Sequence, residues 1–321
     1  MRYLLCWLIF GSLVAGAQPS LFDELWAGGD TVTIELETDW KKLLRHKKDK
    51  VYQPTTLRVG GHALAGRVRS RGHIRLEVCR YPSLKIKLDK TPLGQLGYSD
   101  LNDLKLVLQC SNRTIADGYL RREKLIYDLH ALVSDYYHRT VPIRLLAGKM
   151  EIAGFLIESE EQLAARYNAT IVNSDQVSTR GLERGAYLNM CLFNYLVLNT
   201  DWNVFNLHNV ECLSLNGSRD LIPIPYDFDY SGVVSTTYAV PHDGHNLRSV
   251  HQPKWLGRHV TEEELSAALI HYRHRKQALI DKVSTCPGLH PSHRERILDR
   301  IEDFYDAMND PKALRSFVVR E

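Results

Sequence analysis

One stretch, Asn199 to Gly232, constrains this chain more than any other. It reads NTDWNVFNLHNVECLSLNGSRDLIPIPYDFDYSG. A strongly apolar helical run, Arg184 to Leu198, delivers the backbone to it. Asp201 is followed five residues later by Asn206. Val210 to Leu215 and Leu221 to Ile224 then give a short apolar hairpin pattern. The hairpin runs into Asp227 and Asp229, on either side of Phe228. Any fold for this chain has to bring a loop, a strand pair and an acidic turn to the end of one apolar helix.

That order has a chemical logic. Phosphoryl transfer from ATP needs positioning and charge neutralisation more than covalent chemistry. One carboxylate must hold the accepting hydroxyl, and an amide oxygen with a second carboxylate must hold magnesium. Protein kinases meet the need with a D-x-x-x-x-N loop, a strand pair, and a metal-binding Asp beside a Phe. Asp201 and Asn206 have that spacing, and Asp227-Phe228 stands where the D-F-G pair would, with Asp229 in place of the glycine. Asn and Asp are also turn formers, so the same residues fit a plain capped loop.

The remaining sequence sets bounds. With 321 residues there is room for one large or two small domains. A net charge of +3 implies no general polyanion-binding surface, which argues against a nucleic-acid partner. Met1-Arg2, the apolar run Tyr3 to Val14 and the small residues Ala15-Gly16-Ala17 read as a signal peptide. The mature chain then begins near Gln18 and is exported, to a periplasm, the medium or the cell surface. The apolar run falls short of the ~20 residues that span a bilayer, and no later stretch supplies them. Beyond it lie Cys79, Cys110, Cys191, Cys212 and Cys286, an odd number whose spacing matches no zinc motif. Cys79 and Cys110 lie on neighbouring predicted strands and could pair in an oxidising compartment. Several of the five could equally be buried thiols.

In chain order, Thr31 to Glu37 alternates as a half-buried strand, and Thr56 to Val59 with Leu64 to Ser70 reads as a hairpin about Gly60-Gly61. Ser83 to Leu88 (SLKIKL) sends Leu84, Ile86 and Leu88 one way and Lys85 and Lys87 the other. A strand lysine of this kind can grip phosphates; it also suits a solvent-facing edge. Asp103 to Leu108 is a further strand. Asp117 to Tyr137 is an amphipathic helix with Glu123 near its start. Val141 to Leu146 and Ile152 to Ile157 form a hairpin about Gly148 that runs into Glu158, where a hinge would fall. Thr261 and Glu264 open a late helix as a capping box, and Pro291 starts the last long one. His242, Asp243, His245 and His251 sit in a polar loop that could hold a metal or simply be solvated.

These segments resemble, in order, the spore-coat-protein-H (CotH) kinase-like family. The likeness rests on VRSRG (Val68 to Gly72), SLKIKL, LRREKLIYDL (Leu120 to Leu129), GFLIESEEQL (Gly154 to Leu163), NTDWNVFNLHN and PIPYDFDYSG (Pro223 to Gly232). One departure is that Arg71-Gly72 is followed by His73-Ile74-Arg75, where the family has an Asn/Ser run. The resemblance implies an α+β, two-lobed protein-kinase-like fold. A β-rich N-lobe of mostly antiparallel sheet with one long helix (18–158) would precede a mainly helical C-lobe (159–321). ATP, with Mg²⁺ or Mn²⁺, would bind between them. Asp201 would be the catalytic carboxylate. Asn206 and Asp227 would bind metal, with Asp229 as helper or rival. Lys85 or Lys87 would hold phosphate, Glu123 would orient it, and Glu158 would meet the nucleotide at the hinge. The implied activity is that of an exported atypical kinase phosphorylating protein Ser or Thr. The alternative is a catalytically weak or inactive scaffold that binds a cell-surface protein or glycan. A metal hydrolase built on Asp227, Asp229 and the His242 to His251 loop is a third reading.

Overall fold

A computed structural model of the protein describes residues 18–173 and 176–318. The expected signal peptide, Met1 to Ala17, lies outside the described residues.

The first half is a barrel. After α1 (Leu21–Ala27) come β1 (Val32–Glu37), α2 (Trp40–Arg45), β2 (Gln53–Val59) and β3 (His62–Arg71). Gly60 and Gly61 both take positive φ between β2 and β3, which a two-residue hairpin turn demands. Next are α3 (Ile74–Val78), β4 (Ser83–Leu88), α4 (Lys90–Gln95), β5 (Asp103–Leu108), α5 (Thr114–Val133), β6 (Thr140–Ala147) and β7 (Met150–Ile157). The strands close in the order β1-β2-β3-β4-β5-β7-β6. Closure is a parallel pairing of β1 with β6, from Val32 opposite Ile143 to Glu35 opposite Leu146.

This overturns the expected two-lobed kinase layout, in which the N-terminal lobe would be an open, mostly antiparallel sheet. The sheet has no open edge at β1 because β6 pairs with it, and the enclosed space is a core of its own. Leu84, Ile86 and Leu88 fill it with Leu104, Leu106, Leu108, Val68 and Leu145, all nearly inaccessible to water. Closing a sheet removes the unpaired N–H and C=O groups of an edge strand and lets both ends of the pattern bury leucines. Lys85 and Lys87 do leave β4 on the outer face, as the alternation predicts. Arg69, Lys85 and Lys105 fall side by side there, as do Arg67, Lys87 and Asp103.

The second half packs on α5. It holds α6 (Glu160–Arg166), β8 (Ala169–Ile171), α7 (Arg184–Leu196), β9 (Val210–Leu215), β10 (Leu221–Pro225), α8 (Glu262–Ser284), α9 (Pro291–Asn309) and α10 (Pro311–Arg315). The small sheet runs β10-β9-β8. Leu125, Leu129 and Val133 of α5 join Leu188, Leu192 and Phe193 of α7 and Leu269, Tyr272, Ile301 and Phe304 of α8 and α9 in one core. At the junction Glu158 is fully buried and its two oxygens take guanidinium donors from both Arg139 and Arg166, at 2.7 to 2.9 Å. A buried carboxylate held by two arginines fixes the turn from β7 into α6. Among the described residues no helix is long and apolar enough to cross a membrane.

Three local features depart from the sequence reading or settle it. Between β3 and β4, where no helix was expected, the chain forms α3. Helix α5 spans 114–133, where 117–137 was expected. Cys79, which caps α3, is disulfide-bonded to Cys110, just past β5, and the bridge pins α3 to the end of that strand. Cys191 and Cys212 are buried free thiols and Cys286 is a half-buried one.

Candidate active site

Helix α7 ends two residues before a strained corner. Leu198 takes φ +57°, and Asn199 is anchored to Asn194 by a side-chain hydrogen bond of 2.8 Å. Asn199 Oδ1 then accepts from the Asp201 N–H at 3.1 Å and sets where the carboxylate starts. From there the chain makes a tight loop closed by two backbone bonds between Asn203 and His208, each 2.9 Å. Phe205 and Asn206 are exposed at its tip. Asn209 follows in the left-handed conformation, φ +52°, which asparagine tolerates well. Its Nδ2 donates to Asp201 O at 2.7 Å and to Asp201 Oδ2 at 3.0 Å. His208 Nε2 lies 3.0 Å from Asp201 Oδ1. That hydrogen bond raises the His208 pKa above the ordinary histidine value.

The β9–β10 hairpin brings the chain back beside this loop. Asp227 sits at φ +58°, a strained backbone position for a non-glycine residue, held by its N–H to Tyr127 Oη at 2.9 Å. Phe228 is driven fully into the core between Tyr127 and Phe193. Asp229 is buried and committed: Arg75 Nε lies 3.2 Å and Tyr238 Oη 2.8 Å from its Oδ2. Arg75 also donates to Glu123 Oε2 at 2.6 Å and to Leu108 O at 3.2 Å. The Glu123–Arg75–Asp229 chain thus ties α5, α3 and the acidic turn together below the water line. Burial pushes the Glu123 carboxyl up against the pull of Arg75. Asp227 differs from both neighbours. Among the described residues its carboxylate has no hydrogen bond or ion pair, and burial, then Asp229 beside it, pushes its pKa up to about 6.

Asp201, Asn209, Asp227, Asp229 and Glu123 line one cavity of about 310 Å³, together with Arg71, His73, Arg75 and His208. The cavity is therefore a cluster of acids with arginines on one wall. A larger, more open groove of about 840 Å³ runs along the outer barrel face past Arg67, Lys87 and Asp89, but none of the acids from the Asp201–Asp229 stretch reaches it.

The expected residues divide accordingly. Asp201, Asp227, Asp229 and Glu123 come together. Asn206 does not line the cavity; its Oδ1 accepts from the His208 N–H at 3.3 Å on the exposed loop. Lys85 is ion-paired with Asp103 at 2.6 Å, and Lys87 lies 4.0 Å from the same carboxylate, so neither reaches Glu123. Glu158 is taken up by its two arginines. Arg71, Arg75 and Asn209 are the residues that spacing alone did not single out. Among the described residues no three His, Cys, Asp or Glu side chains form a metal-holding group, the His242 to His251 loop included.

The turn after Asp229 is sewn to α7 through Gly232, whose N–H donates to Leu198 O at 3.0 Å. A Cβ there would sit 2.4 Å from Val250 O and 2.8 Å from Leu198 Cβ. Gly232→Ala is expected to destabilise the protein by about 1–3 kcal/mol, read as a lower urea midpoint at unchanged slope. Wild-type stability in that variant would mean the seam is loose.

No protein-family model matches this chain, and no curated protein does either. Among solved structures it is similar to the Helicobacter pylori proinflammatory kinase CtkA, at 11% identity and a TM-score of 0.42. The match covers 72% of this chain and 94% of that one.

Proposed function

We propose that the protein is a phosphotransferase that moves the γ-phosphoryl group of ATP to a hydroxyl of a protein Ser or Thr. One observation carries the reading: Asp201 and Asn209, from the loop after α7, share a single cavity with Asp227, from the turn after β10, and with Arg71. Asp201 accepts the proton of the attacking hydroxyl as its oxygen bonds to the γ-phosphorus. The bond from phosphorus to the β–γ bridging oxygen breaks, and ADP leaves with that electron pair. Asn209 and His208 hold the two carboxylate oxygens of Asp201 and fix its direction. Arg71 is the cation that would meet the phosphates, in the role expected of Lys85 or Lys87.

The free carboxylate of Asp227 and the Oδ1 of Asn209 are hard oxygen donors, which suits Mg²⁺ or Mn²⁺. Two protein oxygens are enough for Mg²⁺, which commonly takes its remaining ligands from water and substrate phosphate. When bound, such an ion neutralises phosphate charge. Asp229, already committed to Arg75 and Tyr238, instead keeps the acidic turn in place. Export is part of the same reading: the Cys79–Cys110 bridge suits an oxidising compartment.

A second reading, a weakly active or inactive scaffold for a cell-surface protein or glycan, is favoured by one observation. Lys85, the expected phosphate lysine, is tied to Asp103 and lies off the cavity. Calorimetry separates the two. ATP with Mg²⁺ or Mn²⁺ is expected to show saturable uptake that Asp227→Ala loses. No uptake at millimolar nucleotide would leave the scaffold reading standing.

A further inference from the structure

A second cavity, of about 700 Å³, abuts the same loop that carries Asp201. One wall is Trp202 to Phe205, the four residues that follow Asp201. Asn203 lines this cavity and His208 lines the Asp201–Asp227 cavity, and the two backbone bonds of 2.9 Å between them hold the cavities together. The turn at Asp243–His245 adds His245, and the run before α8 adds Lys254 to His259. Hydrogen bonds lock these pieces in place. The Val177 N–H donates to Phe205 O at 3.0 Å, Lys254 Nζ to His245 O at 2.5 Å, and the Arg258 N–H to Tyr187 Oη at 2.8 Å. Gly257 packs against the Trp255 ring, where a Cβ would sit 2.4 Å from Cζ2.

The lining carries charge of one sign. His245, Lys254, Arg258 and His259 stand in it, and among the described residues no aspartate or glutamate does. Lys254 uses one of its three donors on His245 O. The Arg258 side chain is exposed and, among the described residues, makes no hydrogen bond or ion pair. The remaining surface is aromatic: Trp202, Trp255 and Phe205, the last 58% exposed at the loop tip. A cleft lined by cations attracts an anionic chain, and aromatic walls give that chain's apolar side chains something to pack on.

We propose that this cavity is a docking site for an acidic polypeptide segment, one that carries Asp or Glu beside a large apolar residue. Its role rests on the phosphotransferase reading: the segment belongs to the acceptor protein and lies near the Ser or Thr that meets Asp201. Arg258 and Lys254 take the carboxylates, and Phe205 with Trp202 takes the apolar side chain.

The test is binding of labelled serine peptides to the full chain by fluorescence anisotropy, without nucleotide. One peptide has Glu and Leu on both sides of the serine; the other has Lys in place of each Glu. The Glu peptide is expected to bind saturably and at least about tenfold more tightly than the Lys peptide, with the preference shrinking as salt is raised. Arg258→Glu reverses an exposed, unpaired charge and should weaken the Glu peptide about tenfold. Phe205→Ser, also exposed, should weaken it about threefold or more. Lys90→Gln, in the groove on the barrel face, leaves it unchanged. In turnover, Arg258→Glu raises KM for the Glu peptide and leaves kcat alone. Asp227→Ala loses ATP uptake and still binds the peptide, so the two readings fail separately. Peptide binding with no ATP uptake by the wild type keeps the docking site and removes only its acceptor role. The proposal is overturned if the Glu peptide shows no saturable binding, if both peptides bind equally, or if Arg258→Glu and Phe205→Ser both keep wild-type affinity.

Discussion

Asp201→Ala is expected to slow phosphoryl transfer by about a thousandfold while leaving ATP affinity close to that of the wild type. The two effects separate because Asp201 and the pair proposed to hold metal, Asp227 and Asn209, do not depend on the same side-chain bonds. Asn209 reaches Asp201 through the backbone carbonyl at 2.7 Å as well as through the carboxylate, so truncating the side chain leaves Asn209 its main anchor. Asp227 is set by its N–H to Tyr127, with no part played by Asp201. What the alanine removes is the acceptor for the hydroxyl proton. The same carboxylate gives the acid limb of the rate profile its shape. His208 has a raised pKa, so its ion pair with Asp201 is complete below the ordinary histidine value and is lost as pH rises through the raised one. While the pair exists, one oxygen of Asp201 is occupied by an imidazolium. The rate should therefore climb with pH through that window, and His208→Gln should flatten the climb. Autophosphorylation or transfer to a model Ser/Thr substrate reads both effects. Undiminished turnover in Asp201→Ala would take the base role away from this residue.

Much of the scaffold was legible because period-2 and period-3.6 patterns report which face of an element is wet. SLKIKL gave the inward leucines and outward lysines of β4, Gly60-Gly61 gave the hairpin turn, and Thr261 with Glu264 gave the start of α8. Barrel closure was not legible. The pairing of Val32 with Ile143 joins strands more than a hundred residues apart, and alternation says nothing about which strand is the neighbour. For the site, the acids were visible as a spacing, but the amide that lines the cavity was not. Asn206 satisfies D-x-x-x-x-N, yet the Asn203–His208 bridge turns three extra residues out into a tip and presents Asn209 instead. Arg75 was hidden because it lies on α3, a five-residue helix too short to leave a periodic pattern in the sequence. The partner of Glu123 thus came from a short helix after Gly72, where a strand lysine was expected. Arg71 stood in plain view beside that glycine, and the unexpected His73-Ile74-Arg75 after it was the one signal that this wall of the cavity would be built differently.

Asp227→Asn is expected to abolish the metal requirement and weaken uptake of metal-bound ATP at least a hundredfold, while making the ligand-free protein more stable. The sign follows from the direction of its pKa. The folded value, about 6, lies above the 3.8 of an ordinary aspartate, because burial and Asp229 both disfavour the charge. A folded state that holds its proton more tightly gains stability below about pH 4 and loses it as pH rises through 6. At pH 7.5 the wild-type residue is thus an ionised carboxylate with no partner, beside a second acid, on a strained backbone. Asparagine keeps the shape and removes the charge, for a gain on the order of 1–2 kcal/mol once partial exposure is discounted. Such a group persists where function uses the charge, and a divalent ion is what this charge is suited to hold. Wild-type protein should accordingly show a Tm that rises with Mg²⁺ or Mn²⁺ plus ATP, with affinity falling about tenfold per pH unit below 6. Asp227→Asn should begin at a higher Tm and ignore metal. A variant that melts lower than the wild type without ligand would instead make Asp227 a structural residue, and the cavity would lose its metal-binding carboxylate.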